Sequence, residues 1–291
     1  MDQFSFRKTA LLAAAVCLLT SVALLSRSAL AQAPARAGAS GGRGGSGGRG
    51  ARYVEATPVN FNDHEGWIQM FDGKTLNGWD GPFDLWHVED GAIVVHSKTN
   101  PPTGSTYMLW TGGELANFEF RFEVKLDGAR ANSGVQFRAM KLAEVPGRPM
   151  SKWETRGYQA DFDNYADNVG ALIECCSGAS RPDLPRVRPD RASAGQVVRT
   201  SVVDGQLPTT LMTFGSDRAT MMKTFKVGDW NQMYVIARDR ELIYSINGQL
   251  MSVLIDDNPT RAFLKGWLEI QLEGSGENTA SFRNLWVKKL P

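Results

Sequence analysis

From Trp67 onward the chain alternates. Phe118, Phe120, Phe122, Val124 and Leu126 are separated by Glu119, Arg121, Glu123 and Lys125. That period of two predicts a half-buried strand with its charges on the opposite face. Leu242 to Ile246, then Asn247-Gly248, then Gln249 to Ile255 predicts a hairpin closed by a two-residue turn. Leu268, Ile270 and Leu272 alternate with Glu269, Gln271 and Glu273. Val135 and Phe137, and Tyr158, Ala160 and Phe162, behave the same way within their own runs, and the C-terminal FRNLWVKKL reads as a further strand. One short amphipathic helix is predicted around 217–226, capped by Ser216, with Met221, Met222 and Phe225 facing inward. Helical segments do not alternate regularly with strands, which argues against a parallel α/β sheet. The pattern predicts an all-β antiparallel sandwich of about 230 residues, folding as one domain. The Pro-, Arg- and Ser-rich stretch 176–209 reads as a long loop of the kind that often carries function.

The front of the chain departs from this pattern. Arg7 and Lys8 precede an apolar stretch from Ala10 to Leu25, and Ala29-Leu30-Ala31 sets small residues where a signal peptidase cuts. Residues 1–31 therefore read as a secretory signal, and a periplasmic or secreted location is expected. The apolar stretch is short for a membrane span, so no stable span is expected after cleavage. Residues 32–52, including SGGRGGSGGRGAR, have no large apolar side chain to offset ordering entropy. They read as a disordered linker, and the Arg-Gly alternative, an RNA-binding tract, suits an exported protein poorly. The domain is expected over 53–291.

This division changes the meaning of the charge. The whole chain has 32 Lys+Arg against 31 Asp+Glu. Removing the three basic and one acidic residue of 1–31, and the four arginines of 32–52, leaves a net charge of −5 over 53–291. An acidic domain argues against a nucleic-acid-binding core. All eight tryptophans lie in the domain. Three cysteines cannot make a disulfide framework or a four-thiolate zinc site. Cys175 and Cys176 are adjacent, where a disulfide is strained and a pair of free thiols is the commoner outcome.

Several familiar constellations are absent: there is no Gly-x-Ser-x-Gly elbow, phosphate loop or His-Glu-x-x-His. His64, His87 and His96 are scattered, so a three-histidine metal site would need all three to converge. The polar strand faces are more informative. Gln159, Asp161 and Asp163 share one face, as do Gln271 and Glu273. Asn132-Ser133-Gly134 reads as a turn entering a strand that carries Arg138. Amides, carboxylates and arginine beside indoles such as Trp110 and Trp153 suit sugars, because planar groups match hydroxyl pairs and rings cover the apolar sugar face. A solvated sheet face is the competing reading. Gln159-Ala160-Asp161-Phe162-Asp163 has the spacing of a sandwich-glycosidase strand but begins with an amide, which supports ordinary two-carboxylate hydrolysis poorly. No cofactor is implied. Asp161, Asp163, Asn164, Asp167 and Asn168 offer oxygens of the kind a calcium ion takes, although a polar turn is the simpler reading.

Taken in order, the motifs carry a resemblance. Ile68-Gln69-Met70-Phe71-Asp72-Gly73-Lys74-Thr75-Leu76-Asn77-Gly78-Trp79 is similar to the opening of the 3-keto-disaccharide hydrolase domain family. Further matches are Trp86-x-Val88-Glu89-Asp90-Gly91-Ala92-Ile93, the strand ending in Glu123, and Asn132-Ser133-Gly134 with Arg138. Gly157-Tyr158-Gln159, Gly228-Asp229-Trp230-Asn231, Asn247-Gly248, Gln271 and Phe282-Arg283-Asn284 complete the set over about residues 65–290. The resemblance implies a concanavalin-like jelly roll of two antiparallel sheets. It implies an exported enzyme that cleaves 3-keto-glycosides made by a partner sugar 3-dehydrogenase, by loss of the C2 proton, elimination at C1 and hydration. Asp161 and Glu273 are then candidates for base and acid, and Arg138 for polarising the ketone oxygen. Glu123, Gln159, Gln271, Asn132, Trp110 and Trp153 are candidates for binding the sugar. Many relatives have Glu, Gln and His where this chain has Gln159, Asp161 and Glu273. A non-catalytic carbohydrate-binding module of the cell envelope, or an adhesion domain, are the alternatives.

Overall fold

Alternation of apolar and polar residues produces seventeen strands among the described residues. In chain order these are β1 (Ile68–Gln69), β2 (Trp79–Asp80), β3 (Trp86–Glu89), β4 (Ala92–His96), β5 (Thr106–Trp110) and β6 (Phe118–Asp127). They continue with β7 (Asn132–Lys141), β8 (Thr155–Asp163), β9 (Ala171–Cys175), β10 (Arg191–Ala192), β11 (Gln196–Arg199) and β12 (Thr209–Thr213). The last are β13 (Asn231–Arg238), β14 (Glu241–Ile246), β15 (Gln249–Ile255), β16 (Trp267–Glu273) and β17 (Thr279–Lys289). The computed structural model describes residues 57, 59–100, 103–175, 190–274 and 276–291, so the expected signal, linker and residues 176–189 of the long loop lie outside it.

The strands form two sheets. One has seven strands in the order β10-β9-β8-β7-β16-β5-β2, the other ten in the order β12-β11-β15-β14-β13-β6-β17-β4-β3, with β1 paired to β17. Every described pairing is antiparallel except that of β11 with β15. The architecture is the expected jelly-roll sandwich, modified by this one parallel pair. Its core is aromatic where the sheets face each other. Phe118 meets Phe137 edge-on at 5.8 Å between ring centroids, and Phe122 lies 6.3 Å from Phe162. Tyr158 packs beside Phe137 at 5.9 Å.

Several local expectations hold. Asn247 and Gly248 close the β14–β15 hairpin with φ of 50° and 79°, the left-handed pair that a tight hairpin turn requires. Met221, Met222 and Phe225 are buried. Others change. The helix α1 spans Arg218–Met222 and is capped by Asp217, whose side chain accepts from the Thr220 N–H, one residue later than expected. Asn132-Ser133-Gly134 is no turn but the start of β7, with all three residues buried. The 176–209 stretch contains β10 and β11, because Val198 and Ala192 have a core to enter. Cys175 is disulfide-bonded rather than free; the chain's other two cysteines, Cys17 and Cys176, lie outside the described residues.

Phe162 ties β8 to the core through Phe122 and through a stacked contact with Phe225 at 6.0 Å. Replacing it with Ala should cost about 3–5 kcal/mol, measured as a shift of the urea midpoint at constant slope.

Candidate active site

The outward face of the seven-stranded sheet is polar and mostly buried. The register arranges it in rows. Asp163, Asn132 and Glu273 stand opposite one another across β8, β7 and β16. The next row is Asp161, Gly134, Gln271 and Tyr107; the third is Gln159, Gln136 and Glu269. Gln159, Asp161, Asn132, Gln136, Gln271 and Glu269 are all buried, whereas Glu273 and Tyr165 are half-buried, so the first row lies at the more open end.

Gly134 makes the second row possible. The Gln159 amide crosses above it and donates from Nε2 to Gln271 Oε1 at 3.0 Å. A Cβ on Gly134 would lie 2.2 Å from that Nε2 and 2.7 Å from Cδ. Three strands are thus joined by side chains over a bare middle strand. In the first row, Asn132 Nδ2 donates to Glu273 Oε2 at 2.8 Å and to the Tyr165 hydroxyl at 2.9 Å. The phenol accepts there and keeps its own proton to donate.

Three carboxyl groups on this face are held above their ordinary range. Burial raises the Asp161 pKa most, and repulsion from Glu273 and Asp163 adds to it, opposed by the Arg191 charge. Asp161 Oδ1 is buried with no hydrogen-bond partner. Burial and the Asp163 charge also raise Glu273. Tyr107, buried at the side of this face, is raised by burial and by Glu269, Glu154 and Glu273. Glu269 is raised well above normal by burial, partly offset by the Thr155 hydroxyl.

Asp163 has a different role. Its carboxylate accepts from the N–H groups of Tyr165, Asp167 and Asn168. Asn164 donates to the Leu126 and Gly128 carbonyls, and Asn168 Oδ1 accepts from Arg191. The segment is a polar turn built around Asp163, both of whose carboxylate oxygens accept from backbone N–H groups.

The structure brings Asp161, Glu273, Asn132, Gln159 and Gln271 to one face, and separates the other expected residues from them. Arg138 fails because of a bulge. The register with β8 shifts between Phe137 and Met140 and that with β16 between Gln136 and Ala139, and Arg138 takes φ of 50°. Bulges re-aim side chains. Arg138 Nε donates to the Ala116 carbonyl at 2.7 Å, Nη1 to the Asp239 carbonyl at 2.6 Å, and Nη2 to Asn117 Oδ1 at 3.1 Å. It ties loops together instead of joining Asp161 and Glu273. Gly157 and Gly266 flank the bulge, and a Cβ on either would lie within 2.6 Å of the 138–139 backbone.

Glu123 lies on β6 of the other sheet, where it accepts from Arg283 Nε at 2.6 Å and from Asn284 Nδ2 at 3.1 Å. Trp110 points into the core between the sheets. Trp153 is half-buried in the 3-10 turn Pro149–Trp153, with its indole N–H donating to Asp80 Oδ1 at 3.1 Å. Sequence reasoning missed Tyr165, Tyr107, Glu269 and Arg191. Tyr107 is hidden in an unbroken apolar run, and only its pairing opposite Gln271 reveals its face. Arg191 was hidden in the stretch read as loop.

A family model described as the 3-keto-alpha-glucoside-1,2-lyase-like domain matches residues 66–288. The chain belongs to that family. A 3-keto-disaccharide hydrolase of Bacteroides thetaiotaomicron is 36% identical over 92 residues, a stretch that spans 28% of this chain and 30% of that protein. Among solved structures, a candidate glycosyl hydrolase from Parabacteroides distasonis is 18% identical, covering 78% of this chain and 95% of its own, with a TM-score of 0.46. The carbohydrate-binding module CBM66 of Bacillus subtilis is 14% identical, covering 77% and 96%, with a TM-score of 0.43.

Two outcomes follow for this face of the family domain. Gly134→Ala should cost about 1–3 kcal/mol through overpacking against Gln159, read from urea denaturation. Asp161→Asn should raise Tm at pH 7–8 by a few degrees. A raised carboxyl stabilises the fold below its unfolded pKa near ~3.9, and that contribution is lost as pH rises through the raised value. The gain on substitution should therefore vanish below about pH 4 in scanning calorimetry.

Proposed function

We propose that this domain cleaves 3-keto-glycosides on the polar face of its seven-stranded sheet. The reading rests on one observation: Asp161 and Glu273, both with raised pKa values, converge on a face whose Asp161 Oδ1 is buried without a partner. Family membership supports the same substrate class.

A ketone at C3 acidifies the C2 proton, so a carboxylate whose proton affinity is raised by burial is a competent base. Asp161 takes the C2 proton, and the electron pair delocalises onto the ketone oxygen. The C1–oxygen bond then breaks, with Glu273 donating a proton to the departing oxygen, and a conjugated enone remains. Water adds at C1 and a proton returns to C2, for net hydrolysis. Two carboxyl groups in unlike surroundings suit these opposite roles. The developing enolate needs a donor, and Arg138 is committed elsewhere. Tyr165, whose proton is free to donate, and Arg191, whose charge acts on Asp161, take its place in this proposal. Gln159, Gln271 and Asn132 orient sugar hydroxyls. Because no carboxylate nucleophile is needed, an amide at 159 is compatible with turnover.

We further propose that the protein is exported and meets an oxidised sugar supplied by a sugar 3-dehydrogenase. The apolar stretch from Ala10 to Leu25 and the disulfide at Cys175 support the compartment.

Incubating the protein with a 3-keto-disaccharide and with its unoxidised parent tests the reading. Turnover of the keto-sugar alone is expected, with deuterium entering C2 in heavy water. Asp161→Asn and Glu273→Gln should each lower kcat by about 10²–10⁴. Turnover of neither sugar would sink the proposal, and binding without product would favour a carbohydrate-binding module instead.

A further inference from the structure

The opposite, ten-stranded sheet carries a second cluster of chemistry-bearing side chains. His87 and Glu89 alternate along β3 and so share a face, and His96 reaches them from the neighbouring β4. His87 Nε2 lies 3.2 Å from Glu89 Oε2, and His96 Nε2 lies 3.9 Å from the same oxygen. One ligand atom from each residue falls within 4.8 Å of the other two. The imidazole rings are 5.4 Å apart between centroids. The remaining histidine, His64, is elsewhere, stacked on Trp286.

An ion pair alone would explain Glu89 beside one histidine. It does not explain why two rings turn the same nitrogen toward one carboxylate oxygen. A second contact bears on this. His96 Nδ1 lies 2.8 Å from the Thr279 hydroxyl of β17, opposite it in register. With Nδ1–H as the donor to that hydroxyl, Nε2 would be left as a lone-pair donor, the arrangement found behind metal-bound histidines. Beside Glu89 and His96 opens a cavity of about 230 Å³, which leaves room for a further ligand.

We propose that His87 Nε2, His96 Nε2 and Glu89 bind one zinc-class divalent ion on the outer face of the ten-stranded sheet. Two imidazoles and one carboxylate are a ligand set for borderline transition metals rather than for calcium or magnesium. Three protein ligands leave a fourth position facing the cavity for water or for an oxygen or nitrogen donor of a bound molecule. All three ligands come from one hairpin, and Thr279 adds β17 to the support. The site is independent of the carboxyl pair on the other sheet.

The test is calorimetric titration of zinc sulfate into the full chain, purified without a histidine tag. One zinc per chain is expected, together with a rise in Tm at saturation. His87→Ala and His96→Ala should each abolish that isotherm, with the circular dichroism spectrum unchanged because both side chains are about half exposed. Thr279→Val should weaken binding about 10–100-fold while leaving its stoichiometry intact. Absence of binding by the unaltered protein, or binding that survives His87→Ala/His96→Ala together, would overturn the assignment.

Discussion

Burial of Tyr158, Ala160 and Phe162 against the opposite sheet determines what the rest of the molecule can do. Because side chains alternate along a strand, this anchoring forces Gln159, Asp161 and Asp163 to the other face. A slip of one residue would exchange the two sets, placing carboxylates in an aromatic core. The same constraint operates on β16, where Leu268, Ile270 and Leu272 are buried inward and Glu269, Gln271 and Glu273 stand opposite. With both flanking strands locked, β7 between them needs only a residue without a side chain at 134. The amide bridge from Gln159 to Gln271 then follows.

This dependence explains which parts of the structure were legible in the sequence. Strict alternation reports which residues share a face, so the grouping of Asp161 with Gln159, and of Gln271 with Glu273, could be read directly. Alternation does not report which sheet a strand joins. Glu123 has the same pattern as Glu273, yet its strand enters the ten-stranded sheet and its carboxylate pairs with Arg283. Nor does alternation survive a bulge. Arg138 is in phase with Asn132, Gly134 and Gln136 by counting, but the left-handed backbone at 138 turns it toward the Ala116 and Asp239 carbonyls. Tertiary approach of Gly157 and Gly266 accommodates that bulge, and such an approach has no signature within β7 itself. Trp110 was misplaced for a related reason: an indole suits a sugar and a core equally well, and only packing decides.

The polar face carries an internal tension. A sheet face this buried would ordinarily favour apolar residues, since desolvating a carboxyl group is unfavourable unless partners compensate. Asp163 is compensated, by backbone N–H groups from its own turn. Asp161, two residues away on the same strand, keeps Oδ1 buried without a partner. The difference separates a carboxylate that builds the loop from one left available to a ligand. Uncompensated groups of this kind concentrate at functional sites, where strain in the empty protein is relieved or used when substrate arrives.

The same contrast bears on the chemistry proposed. A displacement mechanism would need a well-solvated or hydrogen-bonded carboxylate kept ionised as nucleophile, close to a second one kept protonated. Neither member of the pair here fits the first description, because burial raises both Asp161 and Glu273. Proton abstraction next to a ketone asks for something else: a base whose affinity for protons has been increased, and a neighbour able to return one. Moving the site from hydrolysis by displacement to cleavage by elimination removes the requirement for a carboxylate held ionised as a nucleophile. It also makes the buried setting an advantage, since the enolate forms where water cannot compete with the donors around it.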